Sequence, residues 1–227
     1  MSPSTAKCLN ITVGETKRVS CLLQIPARPL ACYVLAHGAG AGMEHPVLTA
    51  VAAGLYERGI ASLRYQFPYM EAGGKRPDPP KLAHAAVRAA VAEAARRLPG
   101  IPLLAGGKSF GGRMTSQAQA ESPLPGVRGL VFLGFPLHPA GRPSRERGDH
   151  LFAVNIPMLF LQGTRDALAD LTELEPVCAA LGRRATLKLF PDADHSFHVP
   201  ARSGRKDAQV LSEMLDEIAR WAGTVLA

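Results

Sequence analysis

No uninterrupted apolar run in this sequence approaches the ~18 residues that a membrane-spanning helix needs, so no membrane partner is expected. Aromatic residues are scarce, at 6%, and are not interleaved with the basic ones. Lys and Arg outnumber Asp and Glu by 26 to 19, a formal charge of +7. That excess would suit an anionic partner, but Arg96, Arg97, Arg183, Arg184, Arg202 and Arg205 fall near helix ends and loops, where water solvates them. With no recognition motif present, a nucleic-acid partner is not expected either. The four cysteines (Cys8, Cys21, Cys32, Cys178) show neither C-x-x-C spacing nor histidines at zinc distances, and they read as buried thiols with no metal role. Residues 1–11 carry only Lys7 and no apolar core segment, which predicts no secretory signal and a cytoplasmic protein. Phosphate-binding loops are missing as well. Gly38-Ala39-Gly40-Ala41-Gly42 places Met43 where G-x-G-x-x-G needs its third glycine. Position 102 is proline where a G-x-x-x-x-G-K-[ST] loop needs its first. No cofactor is expected.

What is present is 227 residues with 47% apolar content, enough for one α/β domain over 1–227 with a core that needs no staples. Segments 7–13 and 20–25 alternate around Gly14-Glu15-Thr16 and suggest an antiparallel pair at a sheet edge. After them, apolar strand-like runs alternate with helical spacing. Strands are predicted at 31–36, 60–67, 103–105, 127–134, 157–162 and 186–190. Helices are predicted at 46–59, 81–98, from Phe110 onward, 171–181 and 206–225. Near-continuous apolar strands such as 31–36 are those covered on both faces. The alternation implies crossovers into a mostly parallel twisted sheet with helices on both faces.

The chain is organised around 101–114, I-P-L-L-A-G-G-K-S-F-G-G-R-M. Gly107-Lys108-Ser109-Phe110-Gly111 satisfies G-x-S-x-G between a strand and a helix, the context in which that pattern presents a nucleophile. Ser109 is expected at positive φ, with flanking glycines removing Cβ atoms that would collide with neighbouring elements. The competing account is a glycine-rich turn with a helix-capping serine. In an open parallel sheet, working residues gather at the carboxyl ends of strands. Two further strand ends carry suggestive groups, Asp166 and His195. The order Ser, Asp, His is that of α/β-hydrolases among the serine-triad folds.

A serine hydroxyl is a poor nucleophile until an imidazole takes its proton, and a carboxylate fixes the imidazole tautomer. This assigns Ser109 as nucleophile, His195 as base then acid, and Asp166 as orienter. Asp166 could instead be a helix N-cap. Asp170 and Asp194 are competing carboxylates, and His198 is a rival for His195. His45, His84, His138 and His150 read as structural or exposed. The oxyanion of the intermediate needs fixed N–H donors. Phe110 is the first, and Ala39 in the 37–42 loop the second, with Gly40 in reserve. Substrate contacts are expected from His37, Gly38, Gly40, Lys108 and Tyr69. Lys108 and Arg64 are cations that would favour acidic or polar acyl groups, unless Lys108 is simply solvated and Arg64 pairs with an acid.

With these motifs in place the chain resembles the α/β-hydrolase superfamily over nearly its whole length. G-G-K-S-F-G-G-R-M (106–114), G-F-P-L-H-P-A-G-R-P (134–143), Q-G-T-R-D (162–166) and D-H-S-F (194–197) are similar to a group of small bacterial hydrolases. That group includes a vertebrate testis-expressed protein and is related to dienelactone hydrolases. The resemblance implies the same Ser109, Asp166, His195 triad. Dienelactone hydrolases use cysteine as nucleophile, so their substrate is not carried over. Haloalkane dehalogenases use aspartate there, which disfavours dehalogenation. Only about 23 residues separate the strands ending near Gly134 and starting near Met158, room for a loop and one short helix. No large cap domain is expected. The resulting expectation is a monomeric or homodimeric serine hydrolase cleaving small soluble esters or thioesters. The alternatives are a peptidase or amidase of the same fold, and a non-catalytic interaction module on a hydrolase scaffold.

Overall fold

A computed structural model of the chain describes residues 6–226. Eight strands form one sheet in the order β1-β2-β4-β3-β5-β6-β7-β8. β1 (Lys7–Val13) and β2 (Lys17–Gln24) make an antiparallel edge, and β2 runs antiparallel to β4 (Ile60–Tyr65). From β4 onward the pairing is parallel through β3 (Ala31–Ala36), β5 (Leu103–Lys108), β6 (Val127–Leu133), β7 (Met158–Gly163) and β8 (Ala185–Phe190). This is the eight-stranded, mostly parallel sheet of an α/β-hydrolase fold without a large cap.

Burial explains the sequence patterns. Every residue of β3, β4 and β7 is buried, because helices cover both faces there. β1 alternates exposed and buried positions, as a strand covered on one face must. Cys8 falls on the open face and is exposed, so the expectation of four buried thiols is corrected at that position; Cys21, Cys32 and Cys178 are buried and free. β2 starts at Lys17, three residues earlier than the apolar pattern indicates, because Lys17 and Arg18 lie exposed in the edge ladder.

On one face, α3 (Pro80–Arg97), α4 (Phe110–Glu121) and α5 (Leu171–Leu181) pack Ala86, Val87, Ala90, Met114, Ala118 and Leu174 onto the sheet. The opposite face is covered by α1 (Pro46–Glu57) and α6 (Asp207–Leu226), through Leu48, Val51, Leu55, Met214, Leu215 and Trp221. Gly129 in β6 lets α6 approach, since a Cβ there would stand 2.6 Å from the Trp221 ring. α2 (Pro68–Glu71) had no sequence signal, and the interval between β6 and β7, with room for one short helix, holds a 3-10 helix over Glu146–Ala153. Among the described residues no helix is long and apolar enough to cross a membrane.

Candidate active site

β5 ends at Lys108, and Ser109 follows with φ 50° and ψ −116° before α4 begins at Phe110. A left-handed φ is uncommon for a residue with a Cβ and marks a turn held by its surroundings. Those surroundings demand glycine on both sides. A Cβ at Gly107 would lie 2.2 Å from the Ala36 carbonyl oxygen, and one at Gly111 would lie 2.5 Å from that of His37. Ser109 makes no side-chain capping bond to α4, so its hydroxyl is not spent on the helix.

The turn opens into a cavity of about 350 Å³. Ser109 and His195 both line it, with Gly38, Ala39 and Lys108 among the other walls. His195 stands in the loop after β8. Its Nδ1 donates to Asp166 Oδ2 at 2.7 Å, which in the neutral ring makes Nε2 the acceptor nitrogen. The Asp166 side chain is fully buried, and its charge is satisfied by donors: Leu168 N–H to Oδ1 at 2.8 Å, and Gln162 Nε2 together with His195 Nδ1 to Oδ2. Gln162, in β7, also accepts from Phe135 N–H at 3.0 Å, so it ties the carboxylate to the end of β6. Gly163 and Gly134 make room for this cluster. A Cβ at Gly163 would lie 2.3 Å from the Ala193 carbonyl oxygen, and one at Gly134 would lie 3.4 Å from His195 Nδ1.

The rival groups are engaged elsewhere. Asp170 caps α5, accepting from Thr172 N–H at 3.0 Å. Asp194 accepts from Ser196 and His198 N–H at 2.7 and 3.0 Å. His198 pairs with Asp207 at 2.8 Å on the surface, and that carboxylate holds its imidazole pKa up.

The 37–43 loop is fixed from below. His37 is fully buried; its Nδ1 donates to Gly38 O at 2.7 Å and its Nε2 accepts from Phe67 N–H at 3.1 Å. Burial pushes its pKa down to about 4, keeping it neutral. Gly40 N–H donates to Tyr69 Oη at 2.8 Å, and Met43 N–H to Gln66 Oε1 at 2.8 Å. Of the expected substrate contacts, then, Gly38 and Lys108 line the cavity, whereas His37, Gly40 and Tyr69 do not and instead hold the loop. Gly40 is also lost as a reserve donor, because its N–H is occupied. The Ala39 N–H has no protein acceptor among the described residues, and Phe110 N–H, at the first position of α4, has no intrahelical one.

Arg64 is buried beneath the same loop. Its Nη1 donates to Met43 O and Thr49 Oγ1, both at 2.9 Å, so the side chain for which the sequence left two readings open braces the loop. Sequence reasoning missed Gln162, although it opens the Q-G-T-R-D motif, and missed His45, which lines the cavity from the N-cap of α1. Away from the site, His150 accepts or donates at Ser116 Oγ (2.7 Å), and burial, aided by the Arg113 charge, lowers its pKa to about 4.

A family profile described as an alpha/beta hydrolase domain matches residues 29–223. Among solved structures, a lid-less α/β serine hydrolase from Xanthomonas campestris superimposes with a TM-score of 0.75 at 23% identity, covering 97% of each chain. A dienelactone hydrolase from Anabaena variabilis gives 0.77 at 20% identity, covering 98% of this chain and 99% of its own. An esterase domain from a Rhodothermus marinus protein gives 0.74 at 17% identity, covering 98% and 100%. At these identities the superpositions speak for the fold alone. With the profile spanning most of the chain, this protein belongs to the alpha/beta hydrolase family.

Proposed function

We propose that the protein is a serine hydrolase that cleaves small carboxylic esters or thioesters through an acyl-enzyme on Ser109. One observation carries this reading: Ser109, on a positive-φ turn, lines the same cavity as His195, whose ring is hydrogen-bonded to the buried Asp166. Ser109 Oγ attacks the acyl carbon while His195 Nε2 takes its proton. Negative charge on the former carbonyl oxygen is met by the N–H groups of Phe110 and Ala39. Asp166 keeps Nδ1 protonated and stabilises the imidazolium that forms. The intermediate collapses, the bond to the alcohol or thiol breaks, and His195 returns the proton to that leaving group. Water, deprotonated by His195, then attacks the acyl-enzyme and releases the acid with Ser109 restored.

The cavity is open and no cap covers it, which favours small substrates free in water over lipid aggregates. The same reading takes the protein to act in the cytoplasm as a monomer or homodimer. A fluorophosphonate probe is expected to label Ser109, and Ser109→Ala to abolish hydrolysis of p-nitrophenyl acetate. Turnover surviving unchanged in that variant would remove the assignment.

A further inference from the structure

We propose that Lys108 is a positioning residue for this reaction: its side-chain nitrogen anchors the main chain of His195 to the strand that carries the nucleophile. The inference rests on the hydrolase reading above and adds a tie between nucleophile and base.

Lys108 is the last residue of β5, next to Ser109. Its Nζ donates to the His195 carbonyl oxygen at 2.5 Å, the one hydrogen bond of that nitrogen among the described residues. The same nitrogen stands 5.7 Å from the centre of the Phe197 ring, within cation–π reach. Two points of one loop are thus gripped by one side chain. Phe197 has φ 64°, a conformation that bulky side chains adopt only when their surroundings impose it. Gly134, at φ 71°, leaves the space the arrangement needs. A Cβ there would stand 3.0 Å from Lys108 Nζ and 3.4 Å from His195 Cε1, so amine and imidazole flank one vacant volume.

A solvated lysine would sample many rotamers and bind water. Here the stem is partly buried, and burial lowers the amine to about 8 against the pull of the Asp166 and Asp194 carboxylates. The fold therefore retains an ammonium at a cost in solvation. What the charge does there is fix His195 relative to Ser109, where a displacement of about 1 Å costs on the order of a hundredfold in rate.

The groups facing Nζ are the His195 carbonyl and the Phe197 ring; the His195 imidazole stands across the space beside Gly134, and the Asp166 and Asp194 carboxylates act on the amine through their charge. An ionised donor makes roughly twice as strong a hydrogen bond as a neutral one. As pH rises through about 8 the amine loses its proton and the grip on His195 weakens.

The test compares kcat and KM for a neutral acetyl ester from pH 6 to pH 10 in the native protein, Lys108→Met and Lys108→Arg, with Tm measured for each. Native kcat is expected to fall on the alkaline side with an inflection near the Lys108 value. Lys108→Met is expected to lower kcat by about ten- to a hundredfold with KM within about twofold, to lose that inflection, and to keep its Tm. Lys108→Arg should recover most of kcat and carry no inflection below pH 10, since guanidinium stays protonated. Native kcat and profile in Lys108→Met would overturn the proposal. So would equal loss in both variants together with a lowered Tm, which would make Lys108 a packing residue. Should Lys108→Met fail to fold, the profile of Lys108→Arg decides alone: an unmoved inflection overturns the proposal. If the native protein neither turns over the ester nor reacts with the fluorophosphonate, the hydrolase reading is what fails.

Discussion

The two loops that face each other across the cavity are held in opposite ways. The 37–43 loop is stitched by buried or half-buried groups that keep one charge state near neutrality: His37 to Phe67, Tyr69 to Gly40, Gln66 and Arg64 to Met43. The 191–199 loop is stitched by charged side chains: Asp194 to two of its N–H groups, Asp207 to Val199 N–H and His198, and Lys108 to His195. A loop proposed to offer fixed N–H dipoles gains from supports whose charge does not change near neutral pH. A loop proposed to carry the proton acceptor needs a carboxylate to stabilise the imidazolium, which Asp166 supplies, while the Lys108 ammonium holds the main chain and opposes that charge. The two sides should therefore respond differently to pH and to mutation.

The largest effect is expected on the ionic side. Asp166→Ala removes the acceptor of the His195 Nδ1 proton, and kcat should fall about 10⁴-fold, about 5 kcal/mol in the barrier. Steady-state ester hydrolysis measures it, and a loss under tenfold would mean that His195 is oriented by something else. Next comes acid stability on the opposite side. Unfolded histidine takes a proton below about 6.5, whereas His37 in the folded chain resists until about 4. The unfolded state thus binds more protons in that window, so stability present above pH 6.5 is lost as pH falls toward 4, by up to about 3 kcal/mol. His150 acts in the same direction. Urea titrations at pH 7 and pH 4.5 should show the loss, and His37→Gln should flatten the dependence. An unflattened curve would show that His37 is not the group responsible.

A smaller change comes from Gln162→Leu, which strips one donor from Asp166 and the acceptor from Phe135 N–H. Ten- to a hundredfold in kcat is expected, about 2 kcal/mol, with KM little changed. A rise in KM of the same size would place the effect on binding instead. The smallest is Tyr69→Phe, which leaves Gly40 N–H without its acceptor. It should cost about 1 kcal/mol, a few-fold in kcat, by the same factor from pH 6 to pH 9. A pH-dependent loss there would erase the contrast between the two loops.

Much of the fold was readable because the periodicities are strong. The apolar run at Ala31–Ala36 and the helix at Leu171–Leu181 match the sequence pattern end for end. α2 was not readable, since four residues contain barely one turn and no period. The 3-10 helix at Glu146–Ala153 reads as polar loop because only Gly148 and Leu151 of its eight residues are buried. At the site, Ser109, Asp166 and His195 were singled out by their places at strand ends, and the fold brings Ser109 and His195 to one cavity and Asp166 to His195. Gln162 escaped because an amide inside an apolar strand declares no partner until β6 and the Asp166 loop are laid beside it.

Sequence alone determined the alternation of strand and helix, the absence of a cap, and the order of hydroxyl, carboxylate and imidazole along the chain, all of which follow from local spacing. It set His195 apart as the base and His37 as a substrate contact, but it could not show the surroundings of either, two histidines in loops that follow parallel strands. Tertiary structure decided that one is buried between two backbone partners and stays neutral, while the other leans on a carboxylate at the cavity wall. The physical reason is that tautomer, charge and exposure are set by dielectric and by hydrogen-bond partners, and those come from segments remote in sequence.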